Sequence, residues 1–261
     1  MTAQLIAISL GAGVQSTTLA LMASAGEIEP MPDCAIFADT GWEPRGVYEH
    51  LEALIPQLAF PVHRVSAGDL RTDIMSRSNT TGGRFAAVPW HIRMKNGNSA
   101  IGRRQCTKEY KLRPIQRKIV EMMGGRPKGG CELWIGISLD EAGRMKPSQV
   151  QYVRNRWPLI ERRFSRNDCL RWLERHGHQL PPKSSCIGCP YHSNVQWQSL
   201  TKAELADAID VDRAIRHQSG MRGEQFMHSS KRPLEQVDLS THAERGQLDF
   251  FNNDCEGMCG L

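Results

Sequence analysis

The sequence predicts an α/β protein, a parallel twisted sheet flanked by helices, with a mainly helical C-terminal part. Short apolar runs alternate with stretches of helical periodicity over the first half of the chain, the order that builds parallel βαβ units. A glycine turn, Ser9-Leu-Gly-Ala-Gly-Val-Gln-Ser16, lies where the first run hands over to the first helix. An acidic turn, Asp39-Thr-Gly41, ends the second run. At 261 residues the chain can bury a substantial core without disulfides.

Residues 5–9 read as a short buried strand, and residues 16–25 as a helix opening on small hydroxyl residues. Residues 34–38 form a second strand ending at Asp39. Residues 44–54 carry helical spacing at Val47, Leu51 and Leu54, and residues 61–65 form a third strand. Between residues 73 and 104 the pattern fades into Ser-Asn-Thr-Thr-Gly-Gly and Lys-Asn-Gly-Asn-Ser. That stretch predicts a mobile loop over a site, with Trp90 embedded; of the six tryptophans, most of which read as core, it is the best placed for base stacking.

Helical spacing resumes over residues 111–123, residues 124–130 are a breaker-rich turn, and residues 132–137 read as another buried strand before Asp140-Glu-Ala-Gly-Arg144. The sheet is expected to end near residue 150. This divides the chain into a nucleotide-binding α/β domain over residues 1–150 and a helical, cysteine-containing region with a mobile tail over residues 151–261. There, Ser165-Arg-Asn-Asp168 predicts the cap of a helix carrying Cys169, Leu170, Trp172 and Leu173.

The formal charge of +5, from 33 basic and 28 acidic residues, is a mild excess that fits a mixed surface and an anionic partner. No run approaches the roughly 20 apolar residues of a membrane span, and the first residues lack a basic n-region. A cytoplasmic protein without membrane contact is expected. Eight cysteines in a reducing compartment read as metal ligands or redox groups rather than disulfides. Cys34, Cys131 and Cys169 stand in apolar contexts and read as core.

Gly11, Ala12 and Gly13 permit a tight turn and close backbone approach. Ser16 and Thr17 sit where amides and hydroxyls at a helix start hold an anion. Neither the Walker GxxxxGK[ST] pattern nor GxGxxG is present, which disfavours an ordinary kinase or a dinucleotide enzyme. Asp39, at the carboxyl end of a strand, is placed to accept from a ribose or adenine or to hold Mg2+; a helix cap is the plainer role. Cys186-Ile-Gly-Cys189 can turn two thiolates to one metal centre, iron-sulfur or zinc, the latter with His192 as a further ligand.

Together these segments resemble the PP-loop superfamily, the adenine nucleotide alpha hydrolase-like proteins, and within it the phosphoadenosine phosphosulfate (PAPS) reductase family and related sulfur-transfer enzymes. Gly11-Ala-Gly-Val-Gln-Ser16 matches the loop SGGxDS, with Gln15 at the usual acidic position. Ile36-Phe-Ala-Asp-Thr-Gly-Trp-Glu43 is similar to the strand ending in Asp-Thr-Gly. Ile135-Gly-Ile-Ser-Leu-Asp-Glu-Ala-Gly-Arg144 looks like the Gly-x-Arg-x-x-Glu-Ser segment, with Ser138 in the arginine position. Arg103-Arg-Gln-Cys-Thr-Lys-Glu-Tyr-Lys-Leu-Arg-Pro114 resembles Arg-Cys-Cys-x-x-x-Lys-x-x-Pro, with Thr107 on the second cysteine. Cys186-Ile-Gly-Cys189-Pro190 matches the later pair, and Cys259-Gly-Leu261 resembles the catalytic Glu-Cys-Gly-Leu-His tail.

The resemblance implies a PP-loop, Rossmann-like fold whose adenine nucleotide (ATP, APS or PAPS) is held by Ser9, Gly11, Ala12, Gly13, Gln15, Ser16, Thr17, Asp39, Thr40, Gly41 and Gly136. It implies a [4Fe-4S] cluster on Cys106, Cys186 and Cys189. The fourth thiolate is assigned to Cys255, with Cys259 or an open position as alternatives. Cys259 is the implied nucleophile, and Arg104, Lys111 and Arg144 steady the anionic groups.

Two reactions follow from it. In a reductase, Cys259 attacks a sulfonucleotide and a thioredoxin-like thiol donor releases sulfite. In a sulfurtransferase, ATP activates tRNA or DNA and a sulfur donor thiolates it. A third reading, from the residues themselves, is a non-catalytic zinc-containing nucleic-acid-binding protein using Arg162, Arg163, Arg166, Arg171 and Arg175 as a basic face. A homodimer is left open.

Overall fold

The computed structural model describes residues 3–77, 88–217, 223–241 and 244. In chain order the elements are β1 (Leu5–Leu10), α1 (Val14–Ser24), β2 (Cys34–Asp39), α2 (Arg45–Leu54), β3 (Val62–Ser66), α3 (Leu70–Ser76), β4 (His91–Met94) and β5 (Ser99–Ile101). They continue with α4 (Arg113–Met123), β6 (Cys131–Ile135), β7 (Val153–Arg156), α5 (Pro158–Glu161), α6 (Arg166–Arg175), α7 (Asn194–Ser199), α8 (Lys202–Ile215) and β8 (Gly223–Phe226). A π-helical turn, Thr107–Leu112, leads into α4. No helix among the described residues is long and apolar enough to cross a membrane.

The chain divides into two compact units that interleave along it. The first comprises Met1–Asp39, Arg45–Ser66 and Leu112–Ser184; the second comprises Thr40–Pro44, Ala67–Lys111 and Ser185–Leu261.

In the first unit five parallel strands lie in the order β3-β2-β1-β6-β7. β1 is central, pairing Ala7 with Cys34 on one side and Ile8 with Trp134 on the other. Every residue of β6 and all but the last of β2 are buried, the near-continuous apolar pattern of strands covered on both faces. α1, α2 and α6 share one core with Ile8, Leu10, Phe37 and Trp134. α4 packs against β1, β2 and β3 through its own buried stripe of Ile115, Ile119 and Met123. Cys34, Cys131 and Cys169 are fully buried core residues, as expected. Burial pushes their thiols up, to about 11 for Cys34 and about 12 for the other two, so none is a ready nucleophile.

Two expectations are corrected here. The sheet does not end near residue 150, because β7 follows. Val-Arg-Asn-Arg carries too little apolar signal to be read as a strand, because this edge strand buries only its first residue, Val153. Helix α1 begins at Val14 rather than Ser16, directly after the turn.

The second unit holds a three-stranded antiparallel sheet, β5-β4-β8, with α3, α7 and α8. Its core gathers Trp42, Leu70, Ile74, Trp90, Tyr110, Trp197, Val211, Ile215 and Met227. The expected loop over residues 73–104 is therefore corrected in part. β4 and β5 form a hairpin closed at Asn96-Gly97, with Gly97 at φ +81° and Met94 N donating to Asn98 O at 2.9 Å. Asn-Gly is the strongest short-range hairpin signal, and it was present in the sequence. Trp90 is 3% exposed, so it is core and not a base-stacking residue.

Candidate functional site

The first unit builds its candidate site at the carboxyl end of β1. Leu10 hands over to Gly11, Ala12 takes φ 55° and Gly13 returns the chain to extended geometry before α1. The Ser16 hydroxyl oxygen lies 3.2 and 3.3 Å from the amides of Gly11 and Gly13 and accepts from both, bracing the turn. Ser9 lies inside β1, paired with Ile36 and Ile135. Thr17 is 1% exposed and its hydroxyl shares a 3.0 Å hydrogen bond with His50 Nε2.

Gly136, just past β6, packs on the same turn. A Cβ there would stand 2.8 Å from the Ser16 amide nitrogen and Cα. Ser184 closes on the turn too, its Oγ 2.7 Å from where a Cβ on Gly13 would be. Strands β1 and β6 lie where the strand order reverses, the place where open α/β sheets bind ligands.

Gln15 points into a polar cluster. Its Nε2 donates to Glu141 Oε2 at 3.2 Å and lies 3.4 Å from Ser138 Oγ, while its Oε1 accepts from Arg166 at 3.3 Å. Arg144 pairs with Glu141, so two residues picked from the sequence, Gln15 and Arg144, meet on an acid that was not picked. Burial pushes the Glu141 carboxyl up, and Arg144 pulls against that shift. Asp39 ends β2 and accepts from the Tyr48 hydroxyl at 2.8 Å.

Four of the five arginines of the proposed basic face have partners within the chain. Arg171 pairs with Asp168 at 2.5 Å, Arg162 donates to the Glu27 carbonyl, Arg166 donates to Gln15 and Arg175 donates to the Arg171 carbonyl.

In the second unit one cavity is lined by Cys106, Cys186 and Cys189 together with Thr40, Thr107, Arg104 and Lys111, against the apolar walls of Trp42, Leu70 and Tyr191. The three cysteines are thiols without disulfides. Cys106 stands at the mouth of the π-helical turn, a local distortion common at functional sites. The Arg104 guanidinium lies over the Tyr191 ring, 5.6 Å from its centroid, and its NH2 nitrogen is buried with no hydrogen-bond partner.

Glu43, 5% exposed, underlies the wall of this cavity. Its Oε1 accepts from Thr40 Oγ1 at 3.0 Å and lies 3.5 Å from both Cys186 Sγ and Lys111 Nζ. Thr40 thus sits beside Cys186, with their side-chain atoms 3.4 Å apart. Gly41, at φ +71°, backs onto Asp69, where a Cβ would meet Oδ2 at 2.8 Å. Glu43 and Glu141 enter the sites through the structure; their signal in the sequence is an acid within the Asp39–Glu43 and Asp140–Arg144 segments.

The turn after Cys186 is held from several sides. Cys189 N donates to Cys186 O at 3.0 Å, His91 Nε2 bonds Pro190 O at 3.0 Å, and His192 Nε2 bonds Ser185 Oγ at 2.8 Å. His192 is 7% exposed and sits edge-on to Trp197. Among the described residues, no group of three or more His, Cys, Asp or Glu side chains is placed to hold a metal ion. Cys255 and Cys259 lie outside the described residues.

Fold and first site together define a doubly wound, parallel α/β unit with a glycine turn at its switch point. The structure is similar to the crystal structure of phosphoadenylyl-sulfate (PAPS) reductase from Candida auris in its phosphate complex. The two are 11% identical, the match covers 69% of this chain and 76% of that one, and the TM-score is 0.46. A scan against protein-family models finds no match, and a search of curated proteins finds none either.

Proposed function

We propose that the protein is a PAPS reductase-like enzyme that binds an adenine nucleotide and carries out sulfonucleotide reduction beside a [4Fe-4S] cluster. The observation that carries this reading is the convergence of Cys106 with the distant pair Cys186 and Cys189 on one cavity that also holds Arg104 and Lys111. Thiolates are the natural ligands of iron-sulfur clusters, and flanking cations offset their charge. The donor set fits the group. When bound, such a cluster supplies redox-active iron and a soft Lewis-acid surface beside sulfur.

The first unit contributes nucleotide binding: the glycine turn and the start of α1 take the phosphates, and Asp39 takes a donor of the nucleoside or a magnesium ion. The second unit contributes the sulfur chemistry. Lys111 and Arg104 hold the anionic sulfur group. The Cys259 thiolate attacks the sulfonyl sulfur, forming an S–S bond. The S–O bond to phosphate breaks and the nucleoside phosphate leaves with the electron pair. A dithiol donor of the thioredoxin kind then attacks Cys259 sulfur, releases sulfite, and ends as a disulfide with Cys259 restored as a thiol.

One observation favours a second reading, ATP-dependent thiolation of tRNA or DNA. Thr107 lines the cavity at the position where the reductases carry a second cysteine. A cluster held by Cys106, Cys186 and Cys189 alone would keep one iron free for an exogenous sulfide.

The test is anaerobic purification with visible absorption and iron, sulfide and zinc analysis, repeated for Cys106→Ala and Cys189→Ala, followed by turnover assays with APS, PAPS and ATP. About four irons and four sulfides, lost in both variants, are expected. Turnover of ATP with neither sulfonucleotide consumed would select the second reading. A colourless protein with one zinc would overturn both and leave a zinc-containing binding protein.

A further inference from the structure

The glycine turn carries no cation of its own: residues 9–18 contain neither lysine nor arginine. The nearby basic groups already described in the first unit are occupied, Arg144 with Glu141 and Arg166 with Gln15. Backbone amides at a helix start attract an anion, but a bound polyphosphate also needs a countercharge.

The segment 182–184 crosses the same end of the sheet. Ser184 Oγ lies 2.7 Å from the Cβ position on Gly13 and 3.7 Å from that on Gly11, and Pro182 lies 3.9 Å from the Cβ position on Gly46 in the first turn of α2. Between them stands Lys183. Its Nζ is buried and has no hydrogen-bond partner among the described residues. A buried ammonium left alone is unfavourable, and a native fold keeps one where a bound anion completes it.

We infer that Lys183 binds the phosphates of the nucleotide at the glycine turn, an assignment that rests on the nucleotide reading above. Gly11 adds no side chain to the turn, its Cβ position meeting nothing nearer than 3.7 Å, the start of α1 supplies amides, and Lys183 supplies the charge from segment 182–184. Its ligand class is an adenine nucleotide whose 5′ chain carries at least two linked anionic groups, a phosphosulfate or a di- or triphosphate.

The test is titration calorimetry on the full chain with PAPS, ATP, inorganic pyrophosphate and adenosine, for the wild type, Lys183→Met and Lys183→Arg, together with melting temperatures without ligand. In K183M, ATP and pyrophosphate affinity should fall about 10-fold or more while adenosine affinity holds, and K183R should recover most of the loss. The ligand-free K183M protein should melt no lower than wild type, because an unpaired buried charge has been removed. ATP affinity within twofold of wild type in K183M would overturn the assignment. So would equal losses for ATP and adenosine accompanied by a lower melting temperature, the mark of a structural lysine. A wild-type protein that binds none of the four would overturn the nucleotide reading itself, a result separable from either.

Discussion

Gly188 lies flat against the indole of Trp42: a Cβ on Gly188 would stand 2.1 Å from Trp42 Cη2 and 2.5 Å from Cζ3. The indole has nowhere easy to go. Its Nε1 donates to Asp207 Oδ2 at 2.6 Å, and its backbone carbonyl accepts from Ile187 N at 2.8 Å. The glycine between the two cysteines therefore sets how closely their turn packs on the segment after Asp39.

Gly188→Ala must push the turn or the indole aside. Overpacking of this kind costs about 1–3 kcal/mol. Urea denaturation should show that loss, and thiol labelling of native protein should show Cys186 and Cys189 reacting faster than in wild type. Unchanged labelling rates would mean that the turn does not depend on this contact.

Gly136→Ala places a methyl group against backbone, 2.8 Å from the Ser16 N and Cα, so neither side can rotate away. Stability should fall by about 1–3 kcal/mol and ATP affinity should fall with it. Gly143→Ala is the control, since a Cβ there meets nothing within 4 Å. A denaturation midpoint for Gly136→Ala equal to the control's would contradict the close packing of β6 on the glycine turn.

His50 is held neutral by burial, its pKa lowered from 6.5, while its ring bonds Thr17. The unfolded chain takes up the proton first as pH falls through 6.5. Stability is therefore full above that value and declines below it, until the folded protein also protonates. His178 and His228 are lowered in the same direction, mainly by burial, so the diagnostic quantity is a difference. Urea midpoints between pH 8 and 5 should fall less steeply for His50→Gln than for wild type, and parallel curves would remove His50 from the pH response.

Ser165 caps α6, its hydroxyl accepting from Asp168 N at 3.2 Å while the Asp168 carboxylate accepts from Ser165 N at 2.9 Å. These bonds with Ser165, then Arg171, hold the Asp168 carboxyl well below the usual carboxylate range. Ser165→Ala should cost about 1 kcal/mol at neutral pH. The carboxylate's share is present above its ordinary pKa of 3.8 and lost as pH falls below it, so the mutational cost should shrink in acid. Chemical denaturation at pH 7 and pH 3 checks both statements.

Much of the first unit was legible in the sequence because its strands are buried on both faces and its helices are amphipathic. Leu5–Leu10, Cys34–Asp39 and Cys131–Ile135 stand out as apolar runs, and Arg45–Leu54 places Val47, Leu51 and Leu54 on one buried face. The second unit was not legible in the same way. Its strands are short and only partly buried, with Ser99–Ile101 exposed throughout, so alternation has too few residues in which to register. Trp90 shows the hazard: the polar tracts that flank its segment in the sequence are not its surroundings in space, which are Leu70, Val88 and Tyr110 of the second core.

The sequence by itself determined the α/β class, the glycine turn at a strand-to-helix junction, the cap of α6 and the core standing of Cys34, Cys131 and Cys169. All are local properties, set by residues within a turn or two of one another. Only the tertiary structure decided that Cys106 lines one cavity with Cys186 and Cys189, that Glu141 joins Gln15 to Arg144, and that the segment around Lys183 crosses the glycine turn. These relations join residues from about 80 to 170 positions apart in the chain, and what holds them is packing and pairing across elements, which no local periodicity records.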